Sequence, residues 1–174
     1  MSDSLRGKLL IAAPSLYDFF RRTVILMVEH TDEGAFGVIL NRSSDTTVAE
    51  AVPALVGLAG AEDPVRIGGP VGTDSVVVLG EFEQPEDSPK PVVGDLGVVD
   101  PEDGAPVRRA RIYAGHAGWG PGQLESELER DAWLVEEASP EDPFCSADIW
   151  SLALQRRGGE YALMATMPED PSMN

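Results

Sequence analysis

A glycine-rich segment at residues 115–122 constrains the fold of this chain more than any other part of the sequence. It holds four glycines, a tryptophan and Pro121 between a strand-like stretch and a helix-like one. Glycine tolerates positive φ at little cost and proline fixes its own φ, so the segment specifies an unusual backbone path. We predict a structural turn over 115–122, with Gly118 in a positive-φ conformation or in close backbone contact.

Apolar runs predict more strands than helices. Residues 23–29 form a continuous run rich in β-formers, typical of a strand buried on both faces, and residues 35–41 resume as a strand after turn residues 30–34. These two runs predict an antiparallel hairpin with a five-residue loop near the centre of a sheet. Further strands are predicted at residues 8–12, 65–67, 75–80, 97–99, 109–114, 133–135 and 161–164.

Helix signals are fewer. Thr46 or Thr47 provides a cap for the first helix, which Pro53 must kink or shorten, and Gly158 ends the last one. Hairpins without regular strand–helix alternation predict an α+β fold, mainly antiparallel sheet with a few flanking helices. The predicted helices cover residues 48–58, 123–131 and a stretch from Asp142-Pro143 or Ser146 to Arg156-Arg157, before a tail at 168–174.

Residues 81–104 differ in composition from the rest of the chain. They include four prolines and eight acidic residues but one lysine, so we expect a mobile, solvated excursion interrupted by one short strand. A length of 174 residues suits one domain with a sizeable core. We therefore predict a single domain over residues 1–174 that carries this acidic excursion.

The charge balance argues against nucleic-acid binding. Thirteen Lys and Arg stand against thirty Asp and Glu, which gives a formal net charge of −17. Such a surface repels phosphates, on which DNA affinity depends. Arg108, Arg109 and Arg111 form the one local basic cluster, and the alternation around them predicts a strand face whose arginines pair with carboxylates rather than with phosphate. A transcriptional regulator that binds DNA directly is disfavoured.

Several features favour a soluble cytoplasmic protein. The single cysteine, Cys145, cannot form an internal disulfide, and its acidic neighbours predict a packed, inert thiol. The sequence has no apolar run near the ~20 residues needed to span a bilayer. Its amino-terminal residues lack the basic start and apolar stretch of a signal peptide. We expect no association with a membrane.

Catalytic and metal-binding motifs are absent from the sequence. The glycine-rich segment lacks the lysine and Ser/Thr of a P-loop and the spacing of a dinucleotide-binding loop, which leaves an anion site at the helix start as an alternative to a purely structural turn. There is no Gly-x-Ser-x-Gly elbow, and the two histidines, His30 and His116, form no zinc-ligand cluster. We predict no cofactor and no metal.

A few side chains have both a structural and a functional interpretation. His30 follows a buried strand, where a hydrogen-bonded structural role is favoured over catalysis. Asn41 suits a strand end, and Arg42 either clamps a carboxylate such as Glu29 or Glu50 or reaches a ligand carboxylate with its forked donors. Trp119 either closes an edge of the core or stacks on a ligand.

The motifs taken together resemble the AlgH/YqgE family of bacterial proteins. The resemblance rests on residues 7–14, 20–25, 37–42, 68–71 and 117–125, on Trp133 and Trp150, and on residues 170–174. His116 stands where many members carry an aromatic residue. The resemblance implies a compact α+β fold whose antiparallel sheet curls toward a barrel flanked by helices. One branch is described as a regulator of exopolysaccharide synthesis, and the resemblance implies no catalytic residues.

Three functions from different classes therefore remain open. The favoured one is a non-enzymatic accessory or regulatory protein that acts through another protein; the sequence identifies no small-molecule ligand for it. The second is a small-molecule binder or enzyme whose cleft lies between the Asn41/Arg42 strand end and the Trp119 segment. The third is the disfavoured DNA-binding regulator. Candidate ligand-binding residues are Asn41, Arg42, His116, Trp119 and Gln123.

Overall fold

The apolar runs of the sequence form the strands of one large sheet. A computed structural model describes residues 4–14, 19–145, 148–159, 161 and 163, and within them the chain forms ten strands and four short α-helices. The strands are β1 (Lys8–Ala12), β2 (Val24–Thr31), β3 (Gly34–Ile39), β4 (Ser43–Thr47), β5 (Pro64–Ile67), β6 (Val71–Phe82), β7 (Lys90–Val93), β8 (Leu96–Val98), β9 (Val107–Trp119) and β10 (Trp133–Glu137). The helices are α1 (Val48–Ala51), α2 (Val56–Ala59), α3 (Gln123–Glu129) and α4 (Ile149–Arg157).

The sheet is mainly antiparallel and stays open. Its main path runs β10-β1-β2-β3-β9-β6-β8-β7, while β4 pairs with β5 and β5 pairs in parallel with β9. The sheet curls far enough that Lys90 of β7 forms an ion pair with Glu29 of β2. Among the described residues, no ladder joins the end strands β7 and β10. The predicted α+β class with a curled antiparallel sheet is therefore confirmed, without closure into a barrel.

The β2–β3 hairpin lies at the centre of the sheet, as predicted. Ile25 pairs with Ile39 and Leu26 with Val38, and residues 24–28 are completely buried. The connecting loop has two residues instead of the predicted five, because His30 and Thr31 continue β2 and Gly34 already belongs to β3. The buried imidazole of His30 favours this longer strand over an exposed turn.

Strand β9 extends through most of the segment that the sequence predicts to be a turn. It ends at Trp119, so the turn proper is limited to residues 120–122. Within β9 the glycine with positive φ is Gly115, at 73°, and a Cβ there would lie 2.5 Å from the carbonyl oxygen of Gly69. The prediction for Gly118 is wrong: its φ is not positive, and its Cβ would meet only side-chain atoms, at 3.9 Å or more.

Gly115 interrupts the alternation of side chains along β9. Residues 113 and 119 would share a face in a regular strand. Instead, Tyr113 packs in one apolar cluster and Trp119 in another on the opposite face. A single residue of irregular backbone moves all later side chains to the other face of the sheet.

Apolar clusters cover both faces of the sheet. The cluster on the concave inner face draws residues from both ends of the sheet and is covered by α4. On the outer face, one cluster holds Trp119 and Trp133 beneath α3, and another lies beneath α1 and α2. Trp150 of α4 is only 2% exposed, and its indole N–H donates to the carbonyl of Ala12 at 2.9 Å. These contacts anchor α4 to the sheet.

The helices follow their capping signals with adjusted bounds. Thr47 caps α1 and accepts from Glu50 N–H, and a 3-10 turn at Pro53–Leu55 separates α1 from α2. The last helix begins at Ile149, later than predicted, because Asp148 caps it, and it ends before Gly158 as predicted. Tyr161 and Leu163 are helical rather than part of the predicted strand. Ser146 and the tail at 168–174 lie outside the described residues.

The acidic segment at 81–104 contains more regular structure than its composition predicts. It completes β6 and forms β7 and β8, which pair with each other while β8 pairs with β6. Val92, Leu96 and Val99 are buried there because they face the apolar clusters of the sheet. The single domain and the mobility of this segment stay predictions.

Candidate functional site

A carboxylate held by two tryptophans lies beside a cavity on the outer face of the sheet. Glu127 of α3 accepts at Oε1 from the indole N–H of Trp119 (3.1 Å) and from that of Trp133 (2.9 Å). Its Oε2 accepts from Gln123 Nε2 at 3.1 Å. Gln123 also accepts from Gly120 N–H at 3.0 Å, so one network ties the end of β9 to α3 and β10.

The sequence builds this network from three consecutive elements. Trp119 is the last residue of β9, and the bulge at Gly115 turns it to the outer face. Leu124 of α3 is fully buried, and Glu127 follows it by three residues on the same side of the helix. Trp133 opens β10, which brings its indole to the same carboxylate.

The cavity beside Glu127 has aromatic walls. Its volume is about 370 Å³, and Phe20, Trp119 and Trp133 line it together with Gln123, Glu127 and Arg130. The Trp133 ring meets Phe20 edge-on at 5.8 Å and Trp119 at 6.1 Å. Aromatic faces beside a fixed carboxylate suit an apolar or cationic group.

A second, more open cavity lies on the other side of Trp119. It has a volume of about 290 Å³ and is lined by Glu29, Glu33 and Phe36 as well as by Trp119. Glu33 is exposed at the tip of the β2–β3 hairpin. The two cavities therefore share Trp119, and carboxylates line both of them.

The structure divides the predicted site residues between separate places. Trp119 and Gln123 meet in the first cavity. Trp119 pairs with Ala35 at the start of β3, whereas Asn41 follows the end of that strand, about 20 Å further along at ~3.3 Å per residue. Strand β3 separates the Asn41/Arg42 strand end from Trp119, so the two do not line one cleft as the sequence predicts.

Asn41 and Arg42 make local contacts that tie the chain together. Asn41 accepts from Val24 N–H at 3.0 Å and donates to the carbonyl of Arg22 at 2.8 Å. Arg42 donates to the carbonyl of Arg21 at 3.2 Å, and its guanidinium lies 4.7 Å from the centre of the Phe19 ring. These contacts give both residues a structural role at the end of β3.

The two histidines contact different parts of the sheet. His30 is buried, and its Nδ1 accepts from Leu5 N–H at 2.9 Å while Nε2 lies 3.4 Å from Glu125, so it is hydrogen-bonded as predicted. His116 is half-buried and meets Phe36 edge-on at 5.5 Å, on the face of β9 opposite Trp119.

The basic cluster of β9 is paired with carboxylates, as predicted. Arg108 bridges Glu81 and Asp95, Arg109 pairs with Glu81 at 3.0 Å, and Arg111 lies 3.6 Å from Asp63. Cys145, expected to be packed, is exposed because the 3-10 turn before it ends at Phe144 and leaves the next side chain at the surface.

In the part of the chain that the structure describes, no group of three or more His, Cys, Asp or Glu side chains is placed to hold a metal ion. None of the helices described is both long enough and apolar enough to cross a membrane.

Comparison with known proteins identifies the family. A family model described as AlgH-like (DUF179) matches residues 9–162. The chain belongs to this AlgH-like family. A UPF0301 protein of Streptomyces coelicolor is 44% identical over 186 residues, which cover 98% of this chain and 96% of that protein. A UPF0301 protein of Mycobacterium tuberculosis is 42% identical over 181 residues, covering 97% and 90%.

Two solved structures share the fold. A crystal structure of protein DIP2367 from Corynebacterium diphtheriae matches with a TM-score of 0.83 and 34% identity, covering 96% of this chain and 94% of that one. The solution structure of AlgH from Pseudomonas aeruginosa matches with a TM-score of 0.73 and 31% identity, covering 97% of both chains. The resemblance inferred from the motifs is thereby confirmed.

Glu127, the residue that organises the aromatic cavity, was not predicted. The sequence-based predictions assign no role to Glu127. A usable signal was present: α3 is predicted between two tryptophan-bearing strands, and Glu127 lies one turn after the buried Leu124. A buried indole needs a hydrogen-bond acceptor, and Glu127 is placed to supply one.

Proposed function

We propose that the protein is a non-enzymatic accessory or regulatory protein of the cytoplasm that binds a basic segment of a protein partner across Trp119. The observation that supports this function is the pair of cavities that share Trp119, the more open of which is lined by the exposed carboxylate of Glu33. One basic or apolar side chain of the partner occupies the aromatic cavity, and neighbouring cations lie against Glu33.

Charge complementarity selects this partner. A net charge of −17 attracts a cationic segment over long range and speeds its association, most strongly at low salt. Aromatic rings next to carboxylates stabilise Lys and Arg side chains through cation–π contacts as well as ion pairs. An acidic or phosphorylated partner would be repelled by the same surface.

The chemistry of the aromatic cavity favours binding over catalysis. Both oxygens of Glu127 already accept hydrogen bonds from indole or amide groups, so this carboxylate is engaged in holding the wall. The described side chains that line the cavity include no serine, cysteine or histidine that could act as a nucleophile or shuttle a proton.

The test begins with crosslinking in the native cell, followed by titration. A partner crosslinked to wild-type protein is mapped to a segment, and the corresponding synthetic peptide is titrated against purified Glu33→Lys and Glu102→Lys variants. Both positions are exposed, but Glu102 lies in the loop before β9. The proposal expects a basic peptide whose affinity falls about tenfold in Glu33→Lys and stays near wild type in Glu102→Lys. A neutral or acidic peptide, or equal affinity in both variants, would refute it.

A small-molecule ligand is a second candidate, favoured by the size of the aromatic cavity. Its volume of about 370 Å³ falls within the range of ligand pockets. Native mass spectrometry of protein purified from its own cell distinguishes the two functions. A bound compound released by unfolding, without any crosslinked partner, would replace the proposed function with this one.

A further inference from the structure

A tyrosine hydroxyl is buried without a hydrogen-bond partner on the inner face of β9. Tyr113 is 0% exposed, and none of the described groups bonds to its hydroxyl. Buried polar groups are almost always paired, since leaving one unpaired destabilises the fold. A partner for this hydroxyl therefore has to come from outside the described residues.

Charged side chains of β5, β9 and the residue before β5 neighbour Tyr113 in the sheet. Arg66 of β5 is the register partner of Tyr113, and Arg111 lies two residues earlier on the same face of β9. Asp63 accepts from Arg66 Nη1 at 2.8 Å and lies 3.6 Å from Arg111 Nη1. The side chains of Arg66, Arg111 and Asp63 are 14%, 23% and 16% exposed, so all three are largely shielded from water.

A second donor in the same cluster is also unused. Arg111 Nε is buried and has no hydrogen-bond partner among the described residues, because Asp63 lies nearest to Nη1. Burial lowers the pKa of Arg111, and the Arg66 guanidinium lowers it further. Burial raises the pKa of Tyr113 more than the two guanidiniums lower it, so its hydroxyl stays protonated and available to donate.

We propose that Tyr113, Arg111 and Arg66 form a binding site for the carboxylate group of a small molecule. The Tyr113 hydroxyl and Arg111 Nε–H offer two donors for the two carboxylate oxygens, and Arg66 supplies further positive charge. Two guanidiniums and the Asp63 carboxylate sum to a charge of +1, which one carboxylate neutralises. A phosphate dianion would leave a net negative charge in a half-buried site, which low-dielectric surroundings disfavour.

The cover over this site is apolar. The ring of Phe144 lies 4.0 Å from the Arg109 guanidinium and 5.0 Å from that of Arg111. Phe144 ends a 3-10 turn and is itself half-buried, so it excludes water from one side of Arg111. The ligand reaches the site past the exposed part of Arg111, and an apolar substituent next to its carboxylate would pack against Phe144.

The carboxylate site is separate from the surface proposed for the partner. Tyr113 packs in the inner-face cluster, whereas Trp119 packs in an outer-face cluster. The two sites share no residue, so each proposal can fail alone.

The test titrates the full chain with benzoate, acetate and inorganic phosphate at constant ionic strength, with backbone amide NMR shifts as the readout. The proposal expects saturable shifts at residues 111–113 with benzoate and acetate, benzoate binding more tightly than acetate, and phosphate more weakly than either. Tyr113→Phe removes only the hydroxyl, and Arg111→Lys keeps the charge but removes the planar donor. Each should weaken benzoate by about fivefold or more.

Arg109→Lys is the matched control, because Arg109 shares the strand, the face and the contact with Phe144 but is paired with Glu81. It should bind benzoate as wild type does.

Urea unfolding of Tyr113→Phe without ligand adds an independent readout: stability equal to or above wild type agrees with an unpartnered hydroxyl. The proposal would be overturned by the absence of saturable shifts, or by tighter binding of phosphate than of benzoate. It would also be overturned if Tyr113→Phe lost stability while its benzoate affinity stayed unchanged. That last result would indicate that internal water satisfies the hydroxyl.

Discussion

Replacing Glu127 with alanine tests the network that holds the aromatic cavity. The substitution removes one acceptor shared by two indoles that are 7% and 4% exposed, those of Trp119 and Trp133. Both N–H groups would lose their only described partner. Since a hydrogen bond to a charged acceptor contributes more than a neutral one, the loss should be large for a residue that is not in the core.

The magnitude follows from the two bonds. An unsatisfied buried donor costs about 1–3 kcal/mol. Water from the neighbouring cavity of about 370 Å³ can reach the gap and replace part of each bond. We therefore expect the lower half of that range for each indole, or roughly 2–4 kcal/mol of unfolding free energy in total. With an m value of about 2 kcal/mol/M in urea, the midpoint falls by about 1–2 M.

Urea unfolding followed by tryptophan fluorescence measures this change directly, because two of the three tryptophans bond to Glu127. Glu129→Ala is the matched control, since this exposed glutamate lies on the same helix. Glu127→Gln should lose less than Glu127→Ala, because its amide oxygen still accepts from both indoles while its amide nitrogen faces Gln123 Nε2. A loss in Glu127→Ala within about 0.5 kcal/mol of the control would refute the argument.

Three further predictions concern the strained glycine, the sheet and the charge. Gly115→Ala should lower the free energy of unfolding in urea by more than ~2 kcal/mol, because Gly115 has positive φ and a close backbone contact. Gly118→Ala should change the same free energy by less than ~0.5 kcal/mol. Equal effects of the two substitutions would contradict the placement of the bulge at Gly115. Amides of β2 and β3 should be among the slowest in hydrogen exchange, and fast exchange throughout both would contradict their central burial. Labelled duplex DNA should not bind below micromolar concentrations in ~150 mM salt; binding that Arg109→Glu/Arg111→Glu abolishes would contradict this.

Most strands were predictable because their signal is local. A run such as residues 24–28 is apolar at every position, and only burial on both faces of a sheet accommodates it in strand form. The caps at Thr47 and Gly158 are local as well, since each acts within one turn of its own helix. The central hairpin followed from two such runs close together in the chain.

The position of the bulge was not predictable, because it depends on a neighbour distant in sequence. The glycines at 115 and 118 are equivalent in composition, and both belong to the same segment. Gly115 differs because its φ is positive and the carbonyl oxygens of Gly69 and Val71 approach it, and these contacts arise only after β5 and β6 have paired with β9. The sequence shows that the segment is rich in glycine, but it does not show which backbone carbonyl will approach which glycine.

The candidate site residues also differ in whether their proximity depends on local sequence or on contacts between distant strands. Trp119 and Gln123 were predicted as candidates and do meet at a cavity, since they are four residues apart across one turn. Tyr113 and Arg66 were not predicted, because β5 and β9 come together only in the folded sheet. Arg42 was linked to Trp119 in the prediction, but the length of β3 separates them.

The two proposed sites depend on one irregular residue. In a regular strand Tyr113 and Trp119, six positions apart, would project from the same face of β9. The backbone at Gly115 reverses that parity, so the strand supplies Tyr113 to the inner face and Trp119 to the outer face. Without this reversal, the indole of Trp119 would enter the inner core and leave the carboxylate of Glu127 without one of its two indole donors. The close approach of Gly69 to Gly115 therefore acts on both sites at once, and a substitution at either glycine should disturb carboxylate binding and the tryptophan network together.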